Sequence, residues 1–162
     1  MIAPALPADE STRLQTLHSL GLLDTPPEER FDRVIRLARR IFDVPVAVIS
    51  LVDAERQWFK SCLGLDVQET PREISFCGHT ILSANALIVE DAQLDPRFCS
   101  NPLVTRPPHI RFYAGRPLFV GPGSAIGSLC VLDAKPRTFS SADHDSLRDL
   151  AAIVADELKR RP

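Results

Sequence analysis

The residues best placed to do chemistry fall in the run Ser75-Phe76-Cys77-Gly78-His79. Ser75 carries an N-cap side chain, so the turn after it would offer free backbone N–H groups and a partial positive charge to a carboxylate or phosphate. Arg72 or Arg111 would supplement such an anion site. The plainer alternative is a structural cap, with His79 packed under the irregular stretch that follows. Cys77 and His79 suggest a thiolate with its base or a pair of metal ligands. Residues two apart on a helix, however, point roughly 200° apart and do not face one another. No Cys-x-x-Cys accompanies them, and His18, His109 and His144 lack ligand spacing, so no metal is expected and no cofactor is identifiable.

Aromatic residues form the second candidate set. Trp58, Phe59, Phe76, Phe98, Phe112 and Tyr113 could line a pocket for a flat ligand, although aromatics at strand spacing more often fill a core. Alternation along a strand places Arg111 and Tyr113 on one face and Phe112 on the other, which makes Arg111 with Tyr113 the preferred polar pair. Cys62 and Cys130 lie within strand patterns and read as small core residues.

The elements that must position these groups are legible in the periodicity. Residues 1–8 hold two prolines and little pattern, and read as a flexible lead-in to a single domain over 9–162. Leu14, Leu17 and Leu20 followed by Gly21 predict a helix with a glycine C-cap. Thr25-Pro26-Pro27-Glu28 predicts the capping box of a second helix, with Phe31, Val34, Ile35, Ala38, Ile41 and Phe42 on one stripe. Residues 46–52 and 56–63 predict an antiparallel hairpin broken at Asp53-Ala54-Glu55, with Trp58 and Phe59 on opposite faces.

Residues 64–72 read as loop, 75–82 as a short helix and 87–89 as a brief strand. Pro96, Pro102, Pro107 and Pro108 exclude a long regular element from 91–109. Residues 111–120 and 124–132 predict a second hairpin through Gly121-Pro122-Gly123, and Ser140 or Ser141 caps a last helix carrying Leu147, Leu150, Ala151, Val154 and Leu158. This order predicts an α+β domain with an antiparallel sheet and its terminal helices on one face.

Bulk properties exclude several classes. At 162 residues and 44% hydrophobic, the chain can bury roughly 70% of its unfolded surface as one domain. Nineteen basic against 21 acidic residues leave a net charge of −2, so no global field draws in nucleic acid or an anionic membrane. The basic clusters Arg36, Arg39, Arg40 and Lys159, Arg160, Arg161 fall in helical patterns and read as solvated faces. No secretory apolar region precedes the cysteines and no apolar run approaches the ~20 residues of a membrane helix, so a cytoplasmic location is expected.

Several segments, in this order, resemble a GAF domain. They are Val44-Pro45-Val46-Ala47-Val48, Ser50-Leu51-Val52-Asp53, Arg56-Gln57-Trp58-Phe59-Lys60-Ser61, Ser75-Phe76-Cys77-Gly78-His79, Asp95-Pro96-Arg97-Phe98, Asn101-Pro102-Leu103-Val104 and Ile126-Gly127-Ser128-Leu129-Cys130-Val131-Leu132-Asp133. The entry from Leu20 to Arg30 is similar to that of GAF sensor domains in bacterial histidine kinases and diguanylate cyclases. The resemblance implies a five- or six-stranded antiparallel sheet with helices behind it and a ligand pocket between its other face and the irregular segment. Family members sense cyclic nucleotides, bilins, haem or other small molecules, or simply dimerise.

The cyclic-nucleotide signature Asn-Lys-x-Asp and a bilin-attachment Cys-His context are both absent, which leaves an unknown small-molecule ligand. The expected ligand-binding set is Trp58, Arg72, Phe76, Cys77, His79, Phe98, Arg111 and Tyr113. The resemblance also implies a homodimer through the first and last helices. Its output would be a histidine kinase or diguanylate cyclase domain, either attached in a longer protein or supplied by a separate partner. Two other readings stay open: a ligand-free dimerisation module, and a free-methionine sulfoxide reductase in which Cys99 attacks the sulfoxide and Cys77 resolves the sulfenic acid.

Overall fold

The computed structural model describes residues 1–121 and 123–160. Helices α1 (Glu10–Ser19) and α2 (Glu29–Phe42) precede strands β1 (Val46–Val52), β2 (Arg56–Leu63) and β3 (Glu69–Pro71). After these come α3 (Phe76–Thr80), β4 (Leu87–Val89), α4 (Pro102–Thr105), β5 (Phe112–Leu118), β6 (Gly127–Asp133) and α5 (Ser141–Lys159). The six strands form one antiparallel sheet in the order β3-β2-β1-β6-β5-β4. This is the α+β architecture expected from the sequence, closed at its centre by the pairing of β1 with β6.

Strand alternation gives the sheet two buried faces. Ala47, Ile49 and Leu51 of β1, with Leu129 and Val131 of β6, meet Phe31, Val34, Ile35 and Ala38 of α2 and Leu147, Leu150 and Val154 of α5. Val46, Val48 and Val52, with Cys130 and Leu132, form the other core with Phe76, Phe98, Val104 and Ile110. Trp58 lies on the helix side and Phe59 on the other, as predicted.

Ser140 starts α5 with a full capping box. Its hydroxyl accepts the Asp143 N–H at 3.0 Å, and the Asp143 carboxylate accepts the Ser140 N–H at 2.9 Å. Gly21, at φ 63°, follows the end of α1 and donates to the carbonyl of His18.

Two local expectations are corrected. The Thr25-Glu28 capping box does not form. Helix α2 begins at Glu29, while Thr25 Oγ1, the Pro26 carbonyl and the Glu28 carboxylate all accept from Lys60 Nζ at 2.7–2.8 Å. The Lys60 side chain is fully buried, and a buried ammonium needs oxygen partners more than α2 needs a cap. Residues 69–71, read as loop, form edge strand β3 on β2. Residues 1–8 cross α3: the Ile2 N–H donates to the Arg97 carbonyl at 3.1 Å, and Pro4 lies against Gly78. The Gly121-Pro122-Gly123 turn and the C-terminal basic cluster fall partly outside the described residues, at Pro122 and Arg161.

Phe31 is wholly buried between α2 and the sheet, so Phe31→Ala should cost about 3–5 kcal/mol. Leu94, 81% exposed, should tolerate the same change within about 0.5 kcal/mol. Urea denaturation of both variants, with unchanged slope, checks this contrast.

Candidate functional site

On the side away from the long helices, the irregular stretch 91–110 roofs the sheet and leaves a cavity of about 60 Å³. Val48, Phe59, Tyr113, Cys130 and Leu132 form its floor, Leu103, Pro108 and Ile110 its roof, and Phe76 with Cys77 of α3 one wall. Asn101 holds the roof in place: its side-chain oxygen accepts the Leu103 N–H at 2.9 Å, and its amide donates to the Ile74 carbonyl at 3.0 Å. Pockets for drug-sized ligands run to roughly 300–1,000 Å³, so a guest larger than a few heavy atoms must lift this roof. Larger hollows, of about 420 and 810 Å³, are open grooves beside α2 lined by charged side chains such as Arg36.

The floor carries a buried polar seam. The Tyr113 hydroxyl lies 2.7 Å from Thr80 Oγ1 and 3.4 Å from Cys77 Sγ. Ser128 Oγ donates to Cys77 Sγ at 3.0 Å, and Cys130 Sγ sits 3.9 Å from Cys77 Sγ. Farther along, Ser50 Oγ donates to Gln57 Oε1 at 3.1 Å, and Gln57 Nε2 donates to Thr70 Oγ1 at 2.6 Å. Gly115 makes room for this arrangement, since a Cβ there would stand 2.1 Å from the Tyr113 hydroxyl oxygen. Burial, reinforced by the neighbouring Cys77, pushes the Tyr113 hydroxyl well above its usual range and keeps it neutral. Hydrogen bonding from Cys130, then Ser128 and Tyr113, outweighs burial and brings the Cys77 thiol down to about 7, while Cys130 is pushed up by Cys77 and by burial.

Of the predicted binding residues, the structure brings Phe76, Cys77 and Tyr113 together at the cavity. Phe98 backs Phe76 in a stack with ring centroids 4.1 Å apart but does not line the space. His79 turns away from Cys77, as helix geometry requires, and its Nε2 lies 3.0 Å from the Ile2 carbonyl. Trp58 belongs to the helix-side core. The Arg111 and Tyr113 pair does not form. Strand β5 begins only at Phe112, and Arg111 is held by Asp91 through two hydrogen bonds of 2.7 and 2.8 Å. Cys99 is exposed, and Cys77 has Cys130 as its sulfur neighbour, so the Cys99 and Cys77 couple of the alternative sulfoxide-reductase reading is not assembled.

Ser75 does cap α3, its Oγ accepting the Gly78 N–H at 3.0 Å, but Arg72 serves a different cluster. Arg72 and the fully buried Arg13 both grip the Glu10 carboxylate. Arg13 Nη1 also donates to the Val52 carbonyl at 2.7 Å, and Arg72 Nη1 to the Asp53 carbonyl at 3.0 Å. This clasp ties α1 to the end of β1 and uses the charge that an anionic ligand would have needed. Burial pushes the Glu10 carboxyl up, yet the hydrogen bonds from Arg13 and Arg72 prevail and hold it at about 2.

The GAF domain model matches residues 26–158. The chain belongs to the GAF domain family. It is 46% identical over 155 residues to a cyclic di-GMP phosphodiesterase of Pseudomonas aeruginosa, a match spanning 95% of this chain and 26% of that protein. The chain thus corresponds to about a quarter of the relative's length. The GAF domain of an Acinetobacter phosphoenolpyruvate-protein phosphotransferase superposes with a TM-score of 0.64 at 20% identity, covering 91% of this chain and 92% of that one. A type II free methionine-R-sulfoxide reductase of Thermoplasma acidophilum superposes with a TM-score of 0.65 at 13% identity, covering 90% and 94%. At such identities these structures show the shared fold alone. No helix among the described residues is long and apolar enough to cross a membrane.

The clasp makes a pH prediction. The folded value for Glu10 lies below its ordinary 4.5, so its contribution is complete above about pH 4.5 and is lost as pH falls toward 2. Glu10→Gln should cost about 3–5 kcal/mol at neutral pH, because two buried guanidinium groups lose their counter-charge, and should flatten the acid limb of the stability curve. Urea titrations from neutral to acid pH on both proteins measure the two effects together.

Proposed function

We propose that this GAF domain is a cytoplasmic regulatory module that binds a small, uncharged, largely apolar molecule beneath the 91–110 roof. The observation that carries this reading is the roofed cavity itself, with apolar walls, a floor of hydroxyl and thiol groups, and both candidate arginines engaged elsewhere. Binding enlarges the cavity by shifting the roof and α3, and the sheet passes that shift to α2 and α5 on its far side. The ligand signals to the extent that it binds one packing of roof and sheet better than the other.

The module acts as a homodimer through its helical layer, where Leu37 and Ile41 of α2, the second helix, and Ile153 of the last helix α5 are about half exposed. Its output is a domain that makes or degrades a cyclic dinucleotide. The identity to a cyclic di-GMP phosphodiesterase favours that class over a histidine kinase. The GAF domain's own part is regulatory and not catalytic.

Native mass spectrometry of the freshly purified chain, followed by a thermal-shift screen of small neutral compounds, tests the pocket. A ligand at 100 times its Kd adds about 2.7 kcal/mol, or roughly 5–10 °C in a domain of this size. Leu103→Trp, which fills the cavity from the roof, should abolish that shift while the unliganded protein still unfolds cooperatively. Equal shifts in the two proteins for every binder would place binding outside this cavity and contradict the proposal.

A further inference from the structure

Cys77 and Cys130 come from elements 53 residues apart in sequence, α3 and β6, yet their sulfurs lie 3.9 Å apart in the floor of the cavity. Both thiols are free and buried, and both border the same hollow. Its volume of about 60 Å³ admits a molecule of two heavy atoms without disturbing the roof. Ser128 Oγ donates to Cys77 Sγ at 3.0 Å, and the Tyr113 hydroxyl stands 3.4 Å from it, so negative charge on this sulfur has partners at hand. Ordinary core cysteines pack against hydrocarbon, whereas this one is ringed by a second thiol and two hydroxyls.

We propose that Cys77 and Cys130 are a peroxide-reactive dithiol that closes to a disulfide in the floor of the GAF pocket. The Cys77 thiolate attacks one oxygen of hydrogen peroxide and the O–O bond breaks. The departing hydroxide takes up the thiol's proton as water, leaving Cys77 as the sulfenic acid. The Cys130 sulfur then attacks Cys77 Sγ, the S–O bond breaks, and hydroxide leaves with the Cys130 proton as the second water. Two thiols lose two electrons in all, and one peroxide becomes two waters.

Closure requires the sulfurs to approach from 3.9 Å to the roughly 2.05 Å of an S–S bond. That movement draws α3 toward β6 and shifts Phe76, on which Phe98 is stacked. Oxidation therefore acts on the same roof as a bound ligand, although the chemistry requires no ligand. Exposed Cys99 and half-buried Cys62 take no part.

The test treats the reduced wild-type chain with a small excess of hydrogen peroxide, alkylates it after denaturation and maps the cysteines by mass spectrometry. The expected result is joint loss of alkylation at Cys77 and Cys130, one peptide linking them, and recovery with dithiothreitol. Cys130→Ser should stop at a Cys77 sulfenic acid that dimedone captures, and Cys99→Ser should link as the wild type does. Full alkylation of Cys77 and Cys130 while Cys99 is oxidised would overturn the proposal, as would a linkage of Cys77 to any other cysteine. The decisive readout is on the wild type, so it does not depend on a variant folding. It also needs no ligand, so its failure is separate from failure of the small-molecule reading.

Discussion

The central pairing of β1 with β6 constrains everything else in this domain. Val46 to Leu51 align with Leu132 to Gly127, residue for residue, and both faces of that ladder are apolar. A two-faced apolar sheet must be covered twice. Long amphipathic helices supply one cover. The other is a patchwork of α3, α4 and proline-broken chain that cannot itself be a regular layer. Gly127 permits the close approach at the end of the ladder, since a Cβ there would stand 1.9 Å from the Ser50 carbonyl oxygen.

The difference between the two covers places the pocket. Helices α2 and α5 present stripes of buried apolar residues to the sheet. The roof reaches the sheet through a few side chains, Leu103, Pro108 and Ile110 among them, and leaves a gap above a floor where polar groups satisfy one another. The charged groups around this frame act as ties: Glu10 with Arg13 and Arg72, Asp91 with Arg111, and Glu28 with Lys60. Arg72 and Arg111, the two cations expected to recruit an anion at the site, are each matched to a carboxylate of the chain itself.

Most of the fold was legible because its signals are local. Strands β1 and β4 follow from β-branched runs, β2 from the alternation that sets Trp58 and Phe59 on opposite faces, the start of α5 from Ser140, and the irregular roof from its prolines. The start of α2 was misread because the partner that claims Thr25 and Glu28 is Lys60, more than 30 residues away. The site was less legible for the same reason. Arg72 and Arg111 have the right chemistry for binding, and nothing in their own segments shows that Glu10 and Asp91 reach them first. Cys130 was read as core, which it is, but its proximity to Cys77 depends on how α3 lies across the sheet. A signal was present in Ser50 and Ser128, polar residues inside otherwise apolar strands, directly opposite one another across β1 and β6. Buried hydroxyls in such positions mark a place where the core holds polar chemistry.

The account rests on the roof being a separable layer over a sheet that stays folded. Native-state hydrogen exchange under low denaturant measures this directly. Roof amides such as Val104, Thr105 and Ile110, bonded to the Asn101 and Leu103 carbonyls, should open at a distinctly lower free energy than the paired amides of β1 and β6. If those roof amides instead exchange only with global unfolding, at the same free energy as the central strands, the cavity is sealed by the fold itself and cannot admit a ligand in the way described.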